Sequence, residues 1–299
     1  MITKTKETIG PEIASVYLEK NSPDNRPINK GHLRKMVRDL VAGRLKSEKV
    51  KEPVQFNVQG FLCNGQHRMM ATIQSGTVNE WDVEYNVPVE DYEYMDQGLP
   101  RTLANNFKLA GASDAQATQK FVALYAKLRT DEDTSNKFNY SLTNTEGVEL
   151  WRRLGKSEID KYLTLGRIVR DQTLNTLQVG AVLKMIYDSI DFDRSEIFWD
   201  CYINNGNFEG GIKDPVAQVI KYMQKEYIDR SIHTGRHGTV FSDNERVGLI
   251  HMSWEHFLKE DRFGAQKAKS LFSDSVQRNH SITRLKEYVR ENTHLFEKF

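Results

Sequence analysis

The spacing of apolar positions changes once along this chain. Up to about Gly111 helix-like and strand-like stretches alternate, and beyond it apolar residues recur at intervals of three and four. Ile9-Gly10-Pro11-Glu12 predicts a helix start with proline at the first position, and places Ile13, Val16 and Tyr17 on one face. That helix should stop before Ser22-Pro23-Asp24-Asn25. A second opens near Asn29, turns Leu33, Met36, Val37, Leu40 and Val41 inward, and ends at Gly43. Val54, Phe56 and Val58 alternate with polar residues, and Gln59-Gly60 turns the chain back into Phe61-Leu62, which predicts a hairpin. Asn64-Gly65 ends it, and Met69, Met70 and Ile73 follow at helical spacing. Trp81, Val83, Tyr85 and Val87 alternate as a further strand, and the turn from Asp96 to Thr102 should cap a helix running to about Ala110.

The later stretches, such as Phe121, Leu124, Tyr125 and Leu128, or Val182, Leu183, Ile186 and Tyr187, predict helices only. The expected fold is therefore a small mixed sheet with helices over 1–112, followed by an all-α domain over 113–299. A chain of 299 residues suits two domains. Cys63 and Cys201 lie far apart, without a CxxC or a histidine at zinc spacing, so neither a disulfide framework nor a protein metal site is expected. The polar start and the lack of a long apolar run lead us to expect a soluble cytoplasmic protein without a membrane partner.

Net charge is +1, so bulk charge makes no case for nucleic acid. Local charge does. Between Lys20 and Lys51 ten basic residues face three acidic ones. Arg34, Lys35 and Arg38 of the second helix are the candidate nucleic-acid contacts, the competing reading being the solvated face of an amphipathic helix. From Glu80 to Asp96 seven residues are acidic and none basic, which reads as a solvated rim.

The candidate phosphate site is Asn64-Gly65-Gln66-His67-Arg68. A helix start offers backbone N–H groups and the positive end of the macrodipole, and Gly65 admits an anion close to the backbone. Arg68, His67 and Gln66 add donors. The same residues could equally form a hairpin turn and a solvated helix start. Asp96 and Arg101 either pair with each other or flank a site. In the second half, Gly155-Lys156-Ser157 lacks the first glycine of a phosphate loop, Asp191-Phe192-Asp193 reads as a helix cap, and His251 and His256 as packing or surface residues. Arg230, His233, Arg236 and His237, with Gly235 and Gly238, read as an ordinary loop with some capacity for anions.

Pro11-Glu12-Ile13-Ala14, Asn25-Arg26-Pro27, the helix ending at Gly43, Phe56 to Phe61, Asn64-Gly65-Gln66-His67-Arg68-Met69-Met70-Ala71, and Asp96-Gln97-Gly98 through Arg101-Thr102 resemble the ParB-like (ParB/sulfiredoxin superfamily) domain of phage and bacterial proteins. The resemblance covers about the first third of the chain. It implies a bacterial or phage-infected cell, a mixed sheet with helices, and a nucleoside triphosphate (ATP or CTP with Mg2+) at the helix start after the last apolar strand. Arg26 and Arg101 join Asn64 to Arg68 as phosphate ligands. Gln66 stands where the reductases of the superfamily carry cysteine, which argues against thiol chemistry. Asn64 replaces the aspartate of many relatives and weakens the case for hydrolysis.

Two functions are expected. One is an NTPase or phosphotransferase of DNA metabolism or DNA modification, with His67 and Arg68 stabilising charge and Asp96 or Glu12 as metal ligand or base. The other is a non-enzymatic DNA-binding regulatory module whose helical domain supplies a second contact or a homodimer surface.

Overall fold

A strand that no apolar alternation announces opens the chain. In the computed structural model, which describes residues 1–23, 25, 27–88, 102–130, 142–204, 211–234 and 241–297, Thr3–Ile9 (β1) joins Val54–Asn57 (β2), Leu62–Asn64 (β3) and Asn79–Val87 (β4). The mixed sheet has the order β1-β4-β2-β3, with β1 antiparallel to β4, β4 parallel to β2, and β2 antiparallel to β3. The predicted hairpin is β2 to β3, with Cys63 as its extra, bulged residue between the Gln55–Asn64 and Phe56–Leu62 pairs.

Ile9, Val54, Phe56, Leu62, Trp81 and Val83 pack against Pro11–Glu19 (α1), Lys30–Val41 (α2) and Gln66–Ser75 (α3). On α1 it is Ala14, Tyr17 and Leu18 that turn inward, whereas Ile13 and Val16 are exposed, as is Val41 at the end of α2. On β1, Glu7 stands beside Trp81 and accepts hydrogen bonds from Thr5 (2.8 Å), Tyr85 (2.8 Å) and Tyr17. Burial alone would raise this carboxyl, but the three hydroxyls hold it below its ordinary range. The opposite face of the sheet carries a polar rung across all four strands: Lys4 to Glu84 (2.7 Å), Gln55 to Glu84 (2.9 Å) and Asn64 to Gln55 (3.2 Å). Each link joins residues paired directly across neighbouring strands, the placement in which cross-strand side chains stabilise a sheet.

The chain forms two compact units, Met1–Thr102 with Leu142–Glu146, and Leu103–Ser141 with Gly147–Phe299. The division therefore falls before Leu103–Leu109 (α4), earlier than residue 112. The reason is packing: Phe107 of α4 meets Trp151, a residue of the second unit, with ring centroids 6.0 Å apart.

The second unit is helical throughout its described residues: α4, Ala115–Arg129 (α5), Asn144–Leu154 (α6, from Gly147), Lys156–Gln172 (α7), Leu177–Ile190 (α8), Phe192–Asn204 (α9), Pro215–Thr234 (α10), Asp243–Leu258 (α11), Ala265–Ser273 (α12), Ser275–Glu291 (α13) and Thr293–Phe296 (α14). Asp191 accepts from the Arg194 amide at 3.0 Å, the cap its spacing predicts for α9. Helix α8 is buried nearly all round, and α7 approaches it so closely at Gly166 that a Cβ there would lie 2.8 Å from that of Ala181. Among the described residues no helix is long and apolar enough to cross a membrane.

Tyr187 stacks on Trp254 with centroids 4.3 Å apart, and His251 lies against the same ring, its Nδ1 3.3 Å from the Tyr187 hydroxyl. Burial pulls the His251 pKa down to about 4, against a weaker opposing pull from Glu255. An unfolded histidine takes a proton near 6.5, so the stability this residue contributes is complete above that pH and is lost as pH falls toward about 4. The expected loss is up to about 3 kcal/mol. Thermal midpoints recorded from pH 7.5 down to 4.5 check it, and His251→Gln should flatten the profile within that window.

Candidate functional site

Two segments meet at the start of α3. Gly65 takes a left-handed conformation (φ 106°) at the helix N-cap, and a Cβ there would press on the Val54 methyls at 3.2 Å, so glycine is required twice over. Beside it the segment after α1 lies along β3. The Leu62 amide donates to Lys20 O (2.7 Å), the Ser22 amide donates to Leu62 O (3.0 Å), and Asn25 Nδ2 reaches both Leu62 O (2.7 Å) and Asn21 Oδ1 (2.8 Å). The sheet edge is thereby covered, and Asn25 is the residue that fastens the cover.

Among the described residues, Asn64, Gln66, His67 and Arg68, expected to meet phosphate, have internal partners. Arg68, only 8% exposed, donates to the carbonyls of Glu52 and Pro53 (2.8 Å to the latter) and to Asn64 Oδ1 (3.4 Å), and lies 5.6 Å over the Trp81 ring. In this arrangement the Arg68 guanidinium joins α3 to the approach to β2. Asn64 is a rung of the sheet. Gln66 is buried and accepts from Asn21 Nδ2 at 3.4 Å. The Nε2 atom of His67 accepts the Asn29 amide (3.0 Å), and its ring meets His32 edge-on at 5.3 Å. This half-buried ring ties the start of α3 to the start of α2.

Glu12 is exposed in the first turn of α1, where a carboxylate complements the macrodipole. Arg26, Asp96 and Arg101 lie outside the described residues, as do Arg236 and His237. Arg230 is in α10 and pairs with Glu226 (3.2 Å) and Glu245 (3.0 Å). Among the described residues no cluster of three or more histidine, cysteine, aspartate or glutamate side chains is arranged to hold a metal ion.

The three nucleic-acid candidates separate. Arg34 is exposed and Lys35 half-buried, both on α2. Arg38 instead forms a two-pronged pair with Glu146 (3.2 Å for each bond), and Arg44 bridges Asp39 and Glu146 at 2.9 Å each. Thr143 and Thr145 complete the cluster by donating to Asp39 at 3.0 Å. Burial would raise the Glu146 carboxyl, but Arg38, the Thr143 amide and Arg44 hold it below the ordinary carboxylate range. This cluster fastens Leu142–Glu146 to the first unit. No local feature announces it, because Arg38 and Glu146 are far apart in the chain.

With Arg38 and Arg44 so engaged, the exposed cations of this region among the described residues are Lys20, Lys30, Arg34, Lys46, Lys49 and Lys51. They belong to the end of α1, to α2 and to the segment leading to β2. Leaving out Arg38, Arg44 and Asp39, eight basic residues face two acidic ones between Lys20 and Lys51. The positive excess of the sequence thus survives the internal pairing, and six of its cations are exposed among the described residues. No family model matches the chain, and no curated protein or solved structure matches it either.

Proposed function

We propose that the first unit is a DNA-binding module that contacts the phosphate backbone through the exposed cations on and around α2, without phosphoryl transfer. The observation that carries this reading is the division of labour among the basic residues. Arg38, Arg44 and Arg68 are engaged inside the unit, while Lys30, Arg34, Lys46, Lys49 and Lys51 stay exposed over one continuous stretch. Exposed lysines and arginines of this kind release counterions from DNA and give salt-sensitive, largely sequence-independent affinity. A DNA partner is also what the ParB-like resemblance implies. Phosphoryl transfer finds less support, since the arginine expected to stabilise the transferring group faces carbonyl oxygens.

The test is fluorescence anisotropy with a labelled duplex at 50 and 200 mM salt. Lys30→Glu/Arg34→Glu/Lys35→Glu should weaken binding roughly a hundredfold at the lower salt and flatten the salt dependence. Equal affinity of the variant and the parent protein, or an affinity indifferent to salt, would reject the proposal.

A second reading keeps a nucleoside triphosphate, ATP or CTP with Mg2+, as a ligand at the start of α3. It rests on Gly65, which opens that helix without a side-chain cap. On this reading the backbone of the first turn makes the contacts and Arg68 only supports it. A thermal-shift series with the four ribonucleotides and magnesium tests it: one nucleotide should raise the midpoint, and four flat responses remove the reading.

A further inference from the structure

The helical unit contains a cavity of about 500 Å3 between the C-terminal end of α7, α9 and one face of α10. Its walls include Thr173, Leu174, Tyr202, Ile220, Met223 and Tyr227. Ligand sites of small molecules have this size and combine apolar walls with a few polar groups, here Gln172, Thr173 and Gln224 beside the aromatic and aliphatic residues. Positions 220, 223, 224 and 227 fall on one side of α10, the side that helical periodicity assigns to the core. Met223 is indeed buried, but Ile220 and Tyr227 are only half-buried and Ile228 at the mouth is 57% exposed. This face of α10 therefore lines open space.

The chemistry of the lining narrows what could fill it. Tyr202, 2% exposed, donates its hydroxyl to the Met223 sulfur at 3.6 Å. Thr173 is its other hydrogen-bonding neighbour; since a thioether is a weak acceptor, a ligand oxygen or ring nitrogen would be a better one for the hydroxyl of this lining residue. No lysine, arginine or histidine lines the cavity, and Asp171 at its rim is paired with Arg170 at 2.7 Å. The nearest cation, Arg246, whose charge reaches the Tyr202 hydroxyl, is engaged by the Leu174 and Phe241 carbonyls and by Asp243 at 3.8 Å. An anion would find no cation in the lining, and the aromatic and branched walls suit a flat apolar body.

We propose that this cavity binds an uncharged heteroaromatic small molecule, its ring among Leu174, Ile220 and Tyr227 and its acceptor atom on the Tyr202 hydroxyl. Three probes of similar shape separate the elements of the proposal: quinoline (ring with acceptor), naphthalene (ring alone) and quinoline-4-carboxylate (anion). The full chain carries 13C-methyl methionine, and Met223→Leu identifies the Met223 signal. Quinoline should shift that signal saturably and bind about fivefold more tightly than naphthalene, the worth of one ordinary hydrogen bond, and the carboxylate should bind more weakly than quinoline. Tyr202→Phe should erase the advantage of quinoline over naphthalene, and Ile220→Trp, by filling the space, should abolish both. The proposal is overturned if no probe shifts the Met223 signal, if the carboxylate binds as well as quinoline, or if quinoline and naphthalene bind alike. Because the three probes are compared on the unaltered protein, the result stands even where a variant does not fold.

Discussion

Arg68→Ala is expected to destabilise the first unit by about 3 kcal/mol rather than to remove a ligand contact and leave the fold intact. The reason is the set of groups that would lose their partner. The Glu52 and Pro53 carbonyls both accept from this guanidinium, Asn64 accepts from it as well, and Trp81 packs beneath it. Hydrogen bonds from a charged group contribute about 1.5 to 3 kcal/mol, and the cation over Trp81 adds to them, while water can reach the exposed Glu52 and half-buried Pro53 and limits the cost of losing their donor. The cost should appear in urea unfolding as a lower midpoint, and in hydrogen exchange as lost protection across α3 and β2. Arg68→Lys should recover only part of it, since an ammonium lacks the planar fork that reaches two carbonyls together. If Arg68→Ala instead leaves the midpoint unchanged while abolishing binding of a triphosphate, the arginine faces ligand and the reading of its role reverses.

What the chain discloses before folding depends on whether local pattern or distant partners decide. The β2 to β3 hairpin, the proline start of α1, the Asn29 cap of α2 and the glycine opening α3 are written in adjacent residues and all form, although Val58 and Phe61 fall outside the strands and are exposed. Strand β1 is not legible, because Thr-Lys-Thr-Lys-Glu-Thr offers no apolar alternation. Its inward face is instead satisfied by hydroxyl bonds from Tyr17 and Tyr85, which arrive from elsewhere in the chain. The corner at Gly65 was legible as a strand, turn and helix start, yet the direction of Arg68 was not, since it is set by the carbonyls of Glu52-Pro53 and by Trp81. The same holds for Arg38: a basic residue on an amphipathic helix reads as solvated until Glu146 folds back onto it. In one place a signal existed and went unread. Lys184 interrupts the apolar run Val182-Leu183-Lys184-Met185-Ile186-Tyr187, and a lone cation in a helix apolar on every side needs a buried partner.

That partner makes Lys184→Ala the most damaging single change expected in the helical unit. Lys184 is 4% exposed, and its Nζ bonds both Asp188, whose side chain is 6% exposed, and Glu196, which is 56% exposed. The Phe192 ring lies 5.4 Å from the ammonium and helps to shut water out. Glu196 can return to solvent when the lysine is removed, but Asp188 cannot, so its carboxylate would remain buried without a counter-charge. Breaking a buried pair on one side costs about 3 to 5 kcal/mol, which for a unit of this size corresponds to a fall in thermal midpoint of roughly 10 °C. Removing both charges should cost far less: Lys184→Met/Asp188→Leu replaces the pair with apolar groups of similar volume, an exchange that is often neutral or stabilising. The two outcomes separate a penalty for one stranded charge from a net attraction between two. If the double variant is as unstable as the single, the pair itself stabilises α8; if it recovers, the energy resides in what each charge costs when left alone.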